Sequence, residues 1–140
     1  MAQPLSDTDV RAIIDGAERQ ADTVGVPVTV AVTDGAGYLL GLLRMDGAKF
    51  LGPDIAAGKA FTAAAFKIAS AEVLARFEGS PLFVQAMMGM TAGRLVAHPG
   101  GLPILRDADV VGAVGISGGS ADQDVEIARE SIVGAGLTPG

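Results

Sequence analysis

Two short stretches of the chain place ionisable side chains among apolar and small residues. In the first, an apolar run ends at Arg44 and Asp46, which precede the glycine at position 47. In the second, Lys59 and Thr62 lie among alanines and a glycine. An arginine can hold a carboxylate through two hydrogen bonds, and a lysine removed from water can act as a base or a nucleophile. These residue types predict a site for a small, anionic molecule.

Each of these stretches also has a purely structural interpretation. Arg44 and Asp46 are two positions apart, so on a regular strand their side chains share a face. Asp46 could orient the Arg44 guanidinium or move a proton, or the two could form an ion pair that only braces the strand end. Thr62 lies one helical turn from Lys59 and could hydrogen-bond the same ligand. The alternative for Lys59 is a stem that covers apolar surface and an ammonium that reaches solvent or a carboxylate.

The composition restricts the class of protein. A chain of 140 residues, of which 49% are hydrophobic and 19% charged, predicts one domain over residues 1–140 with a single core. The net charge of −6, without any cluster of lysine or arginine, excludes nucleic acid as an expected partner. The absence of cysteine excludes disulfides, thiol catalysis and thiolate metal sites. No grouping of histidine with carboxylates predicts a metal site.

Hydropathy bears on location and assembly. No apolar run reaches the ~18 residues of a membrane span, and the first residues lack the pattern of a signal peptide. We therefore expect a cytoplasmic protein without a membrane partner. The mean hydropathy of +0.43 is high for so small a domain. This value predicts a homo-oligomer in which sister subunits cover part of the apolar surface.

The first third of the chain predicts a helix followed by a hairpin. Apolar residues from Val10 to Val24 recur at helical spacing, after possible caps at Ser6 and before a stop at Gly25. The stretches 28–33 and 38–45 are rich in apolar and β-branched residues, and turn residues separate them. A connection this short joins antiparallel strands, so we expect a β-hairpin.

The rest of the chain does not alternate strand and helix. Its patterns predict helices over residues 55–68, 71–77 and 82–90, strands over 93–98, 102–105 and 110–116, and a terminal helix that begins with a capping box at Ser120. Val125, Ala128, Ile132 and Ala135 give that helix its predicted inner stripe. This order argues against a doubly wound parallel sheet. We expect an α/β fold of the α+β type, with a five-stranded, mainly antiparallel sheet flanked by helices.

Several motifs occur in an order typical of one known family. They are residues 44–47 (RMDG), 58–60 (GKA) with 62–64 (TAA), 100–104 (GGLPI), 111–119 (VGAVGISGG) and 123–124 (QD). The set resembles the haem-binding, haem-degrading family that includes GlcG, HbpS and the C-terminal domain of PduO-type proteins. The resemblance covers nearly the whole chain. It implies a profilin-like fold, a ring-like or octameric assembly and, in some members, the binding of haem or a related tetrapyrrole.

Haem binding would need an iron ligand, an apolar slot and cations for the propionates. His98 is the only histidine and hence the only imidazole available to iron. It could equally act as a general acid or base, contact a substrate, or lie in a loop or an interface. Candidate apolar contacts are Phe61, Phe83, Met87 and Met90, although the methionines would also suit a core or an interface. The available cations are Arg44, Lys59, Lys67 and Arg94.

Three functions remain open from the sequence. The first is a small-ligand-binding protein, with haem or a related tetrapyrrole as the cofactor. The second is a cofactor-independent enzyme that moves a proton on a small anionic metabolite, with Arg44 and Lys59 binding the anion and His98 or Asp46 acting on the proton. The third is a non-catalytic accessory protein that assembles into a homo-oligomer of tetramer to octamer size.

Overall fold

An antiparallel sheet of five strands forms the centre of a computed structural model that describes residues 2–140. Its strands are β1 (Thr29–Asp34), β2 (Leu39–Arg44), β3 (Gly101–Arg106), β4 (Asp109–Ser117) and β5 (Thr138–Pro139), in the spatial order β2-β1-β4-β3-β5. The helices are α1 (Asp7–Val24), α2 (Gly52–Phe66), α3 (Ser70–Phe77), α4 (Pro81–Met90) and α5 (Ala121–Gly134). The mixed α/β architecture with a five-stranded antiparallel sheet confirms the predicted fold class.

Helices α1 and α5 cover one face of the sheet. The Ser6 side chain accepts a hydrogen bond from the backbone N–H of Asp9, the Asp9 side chain accepts one from Ser6, and Gly25 ends α1 in the left-handed conformation. The resulting apolar face of α1 packs with one face of the sheet and with α5. This cluster includes Ile13, Val30, Val114, Ile116, Ile127 and Ile132.

Helix α2 lies on the opposite face, where small residues allow close approach. A side chain at Gly115 of β4 would collide with the backbone oxygen of Ala56 and come within 2.7 Å of the backbone nitrogen of Ala60. The alanines and glycines of α2 therefore bring its backbone close to the sheet, rather than filling a core with large side chains. A long side chain on the inner face of α2 therefore lies in the narrow space between this helix and the sheet.

The structure corrects the strand predicted over residues 93–98. This segment has no ladder partner among the described residues, and the fifth strand is instead Thr138–Pro139, paired with β3. Side chains of neighbouring helices take up two of its backbone groups: the Val96 N–H donates to the Thr62 hydroxyl, and the His98 carbonyl accepts from the Ser70 hydroxyl. The segment is irregular and is anchored without belonging to the sheet.

The inner stripe of α5 also differs from the prediction. Ala128 and Ile132 are buried as expected, but Val125 and Ala135 are only half-buried. Ile127 and Asp124 are buried instead. The helix is thus rotated so that a carboxylate in its first turn faces the interior. Among residues 2–140, no helix combines the length and apolar character required to cross a lipid bilayer.

Candidate functional site

Lys59 is buried between α2 and the sheet, with a side chain that is 2% exposed. Its ammonium donates a hydrogen bond of 2.8 Å to the backbone carbonyl of Ile116 and contacts Asp124 Oδ2 at 3.2 Å. The glycine at position 100 lies directly against it, since a side chain there would come within 2.9 Å of Lys59 Nζ. The lysine therefore joins α2, the end of β4 and the start of α5.

Asp124 is held on both carboxylate oxygens. Its Oδ1 accepts a hydrogen bond of 2.8 Å from the backbone N–H of Gly119, while Oδ2 faces Lys59. Burial raises the pKa of the Asp124 carboxyl, whereas the Gly119 N–H and the Lys59 ammonium favour its ionised form. Both partners of this ion pair have their hydrogen bonds satisfied within the fold, and neither lines one of the cavities described below. The Lys59–Asp124 pair has the character of a structural brace.

Thr62 is also engaged within the protein. Its hydroxyl donates a hydrogen bond of 2.8 Å to the Gly58 carbonyl, one turn back in α2, and accepts one of 2.8 Å from the Val96 N–H. The side chain is fully buried. Thr62 thus ties the irregular segment 93–98 to α2. The sequence placed it correctly on the helix but did not reveal this partner.

Arg44 and Asp46 do not form the predicted ion pair. Within residues 2–140, the ion pairs are Lys59–Asp124 and Arg106–Asp9. Arg44 is exposed at the end of the edge strand β2, opposite Thr29, and Asp46 is exposed in the turn that follows. The strand ends at Arg44, so the alternation that would keep the two side chains on one face stops there. Among residues 2–140 neither side chain makes an ion pair, and the structure does not bring either of them together with Lys59.

A first cavity, the α3–α4 cavity, has a volume of about 520 Å³ and lies between α3, α4 and residues 95–98. Its walls are mostly apolar: Val73, Leu74, Phe77, Pro81, Val84, Met87, Met88, Leu95, Val96 and Ala97. The ionisable residues among its described walls are Glu78 and His98. The predicted contact Met87 lines this cavity. Phe83 does not, but its ring packs on that of Phe77, with 5.5 Å between the centroids.

His98 is exposed where it borders this cavity. Its backbone is fixed, because the Ser70 hydroxyl donates a hydrogen bond of 2.5 Å to the His98 carbonyl, and the Gly101 N–H donates to the same hydroxyl at 2.9 Å. Ser70 is buried at the start of α3. An accessible histidine with an anchored backbone thus borders an apolar slot. The slot and the imidazole meet two of the requirements of haem, whereas the described walls of this cavity include no lysine or arginine for the propionates.

A second cavity, the Arg94 cavity, has a volume of about 560 Å³ and lies between the β1–β2 hairpin, α2 and residues 92–94. The Arg94 guanidinium carbon lies 4.1 Å from the centroid of the Phe61 ring and 5.9 Å from that of Tyr38. The predicted contact Phe61 therefore lines a different cavity from Met87. The sequence offered Arg94 only as one of four cations, and its arrangement over two aromatic rings was missed.

The fold and the family comparison define the class of this protein. The family described as haem degrading protein HbpS-like matches residues 5–133, and the chain belongs to this family. Its curated relatives include protein GlcG of Escherichia coli K12, which is 34% identical over 117 residues that cover 81% of each chain. The corrinoid adenosyltransferase PduO of Salmonella typhimurium is 33% identical over 129 residues. These residues are 91% of this chain but 38% of PduO, so the chain spans well under half of that relative.

Solved structures show the same fold. A crystal structure described as a PduOC:haem complex superposes with a TM-score of 0.87 at 32% identity, covering 96% of this chain and 97% of that one. The crystal structure of HbpS has a TM-score of 0.83 at 26% identity, with 95% and 91% of the two chains covered. The predicted family is thereby confirmed.

Proposed function

We propose that this protein binds haem or a closely related tetrapyrrole in the α3–α4 cavity. The observation that carries the proposal is the combination of that apolar cavity of about 520 Å³ with an accessible histidine at its border. Its volume falls within the range of about 300–1,000 Å³ that is usual for small-molecule sites. Membership of the HbpS-like family and the haem complex of a structural neighbour support the same ligand.

The cavity walls suit a flat, apolar molecule. Phe77, Val84 and Met87 would contact the macrocycle, and burying its apolar surface would supply most of the affinity. Met87 also places a polarisable sulfur beside the bound ring. His98 is the residue that would hold the iron through its imidazole. Haem would supply an iron centre whose reactivity would depend on the histidine that holds it and on the polarity of the slot.

The proton-transfer hypothesis receives less support. It needs Arg44, Lys59 and His98 to act on one metabolite, but the Lys59 ammonium is already bound by Ile116 and Asp124 inside the fold. Arg44 lies at the sheet edge, whereas His98 borders the α3–α4 cavity. Ligand binding is therefore the function that we propose.

Titration of the apoprotein with hemin tests the proposal through the Soret band. We expect a saturable shift in the wild type and, in His98→Ala, loss of the spectral features of an imidazole-ligated iron with weaker binding. Val84→Trp should prevent binding, because the added ring would fill the α3–α4 cavity. Its matched control is Gln85→Trp, which adds the same bulk to the next residue of α4, where the side chain is exposed and outside the cavity.

The outcomes separate the site from nonspecific hemin adsorption. Weak binding in Val84→Trp but normal binding in Gln85→Trp would support the α3–α4 cavity. Equal binding by the wild type, His98→Ala and Val84→Trp would overturn it. The circular dichroism spectrum of each variant establishes that the fold is intact.

A homo-oligomer in the cytoplasm remains part of the proposal. The exposed apolar side chains Leu82, Phe83 and Met90 on α4 support contact with sister subunits. Light scattering at micromolar concentration measures the mass directly. A monomer under those conditions would contradict the assembly.

A further inference from the structure

We propose that the Arg94 cavity is a second ligand site, distinct from the α3–α4 cavity, and that it binds small aromatic carboxylates. Its walls come from three separate segments: Gly37 to Leu39 of the hairpin, α2 around Phe61, and residues 92–94. The cavity brings Arg94 together with Phe61 and Asp54, both of which lie more than 30 positions earlier in the sequence. The inference does not depend on haem binding.

Arg94 is the residue that selects the ligand's charge. Within residues 2–140 its guanidinium makes no ion pair. The Phe61 ring, 4.1 Å away, packs against the guanidinium but leaves it without a carboxylate partner. A guanidinium presents paired N–H donors in a planar fork that matches the two oxygens of a carboxylate. An unpaired arginine already held by an aromatic ring would lose little side-chain entropy on binding such a group.

The shape of the cavity depends on positive backbone φ angles at Gly37, Ala92 and Gly93. Gly37 has φ +88°, and a side chain at this position would come within 2.8 Å of the Phe61 ring. Glycine here leaves room for Phe61, the aromatic wall. Ala92 adopts the left-handed conformation at φ 55°, and Gly93 follows at φ 78°. A non-glycine residue in that region is unfavourable by itself, and this turn carries the chain directly into Arg94.

The segment that carries Arg94 is anchored firmly to α2. A side chain at Gly58 would collide with Val96 and lie 2.9 Å from the Arg94 carbonyl oxygen, so the segment runs directly against the helix. The hydrogen bond between Thr62 and the Val96 N–H holds it there. The Arg94 backbone is therefore positioned before any ligand arrives, which favours binding.

The other walls define the rest of the ligand. Tyr38, Leu39 and Phe61 offer flat apolar surface to an aromatic ring. Asp54, in the first turn of α2, also lines the cavity but makes no ion pair with Arg94. Its carboxylate can accept a hydrogen bond from a hydroxyl on the ring. The chemistry of the site thus matches a hydroxylated aromatic carboxylate better than a simple inorganic anion.

Benzoate and 4-hydroxybenzoate test this site in the protein of 140 residues by ¹H–¹⁵N NMR titration. We expect saturable shifts of the amides of Gly37, Tyr38, Gly58 and Gly93, and tighter binding of 4-hydroxybenzoate than of benzoate. Arg94→Gln should weaken both by about tenfold or more, the usual effect of losing a charge-assisted hydrogen bond. Arg129→Gln, which removes an exposed arginine of α5, should leave binding unchanged.

Two further comparisons decide what the site recognises. Benzamide has the same ring without the negative charge, so equal binding of benzamide and benzoate would overturn the role of Arg94. Saturation of the protein with hemin should leave benzoate binding intact. Displacement of benzoate by hemin would assign Arg94 to the tetrapyrrole site and overturn a second site. Absence of saturable shifts in the wild type would also overturn the proposal.

Discussion

Lys59 on α2 and Arg94 on the segment that packs against α2 are two cations whose surroundings differ completely. Lys59 is buried, and its ammonium has a carbonyl and a carboxylate as partners. Arg94 is exposed, and its recorded contacts are the rings of Phe61 and Tyr38. The Lys59 ammonium has its hydrogen-bond partners inside the fold, whereas the Arg94 guanidinium borders a cavity. Burial among small residues therefore indicates a brace, and an unpaired cation over an aromatic ring indicates a capacity to bind.

The largest expected effect comes from removing the buried cation. Lys59→Met leaves Asp124 inside the protein without its counter-ion, and we expect the free energy of unfolding to fall by about 3 to 5 kcal/mol. Urea denaturation followed by circular dichroism measures this change. The double variant Lys59→Met/Asp124→Asn should recover part of the loss, because no charge is then left buried. A loss below about 1 kcal/mol in the single variant would contradict the role of a brace.

The next effect concerns the hydroxyl that holds the segment leading to Arg94. Thr62→Val keeps the shape of the side chain but leaves the Val96 N–H without its acceptor, and we expect a loss of about 1 to 3 kcal/mol. Thr62→Ser retains the hydroxyl and is the matched control. Faster exchange of the Val96 amide hydrogen in Thr62→Val alone would support the hydrogen bond from Val96 to the Thr62 hydroxyl as the cause of the loss. Equal exchange in both variants would contradict it.

Removal of the open cation should affect stability much less. We expect Arg94→Gln to lower the free energy of unfolding by about 0.5 to 1 kcal/mol, the usual value of an exposed cation–π contact. A double-mutant cycle with Phe61→Leu isolates the contact between the guanidinium and the ring. If Arg94→Gln destabilised the protein as strongly as Lys59→Met, the contrast between the two cations would be lost.

The partly exposed Arg106–Asp9 pair gives the smallest effect and depends on pH. The backbone N–H of Ser6, followed by the Arg106 guanidinium, lowers the pKa of Asp9. The folded state then binds its proton less readily than the unfolded state, so this stabilisation is present above about pH 4 and disappears as the pH falls through the lowered pKa. Asp9→Asn should cost about 0.5 to 1 kcal/mol at pH 7.

Acid unfolding monitored by circular dichroism checks the sign of this effect. The difference in stability between the wild type and Asp9→Asn should shrink below about pH 4. Asp7→Asn is the control, since Asp7 lies in the same first turn without the link to Arg106. A difference that grew in acid would contradict the assignment.

The sequence predicted helix α1 and the β1–β2 hairpin correctly, because short-range contacts define both. The capping residues and apolar spacing of α1 are short-range, and so is the turn of the β1–β2 hairpin. The prediction of a strand over residues 93–98 was wrong for a physical reason. Its residues are typical of a strand, but its Val96 N–H and its His98 carbonyl bond to the side chains of Thr62 and Ser70, which are 34 and 28 positions away. Nothing within the segment reveals them.

The candidate site was predicted less well than the fold. Its expected centre combined Arg44 with Lys59, but Arg44 lies exposed at the sheet edge and Lys59 lies in a buried ion pair with Asp124. The motif at positions 123–124 contained the partner of Lys59, but a carboxylate in the first turn of a helix usually serves that helix alone. Arg94 and Phe61 lie 33 positions apart, and their contact depends on the path of the chain after α4.

The long separation of Lys59 from its partner also bears on synthesis. Asp124 follows 65 residues later, which at about 5 to 20 residues per second corresponds to roughly 3 to 13 seconds of translation. Strand β4, against which the alanine-rich α2 packs, is complete only after residue 117, and α5 follows it. Until Asp124 has been made, the Lys59 ammonium lacks its counter-ion, and burying an unpaired charge costs free energy. Docking of this part of α2 on the sheet is therefore favoured only after the start of α5 has been synthesised.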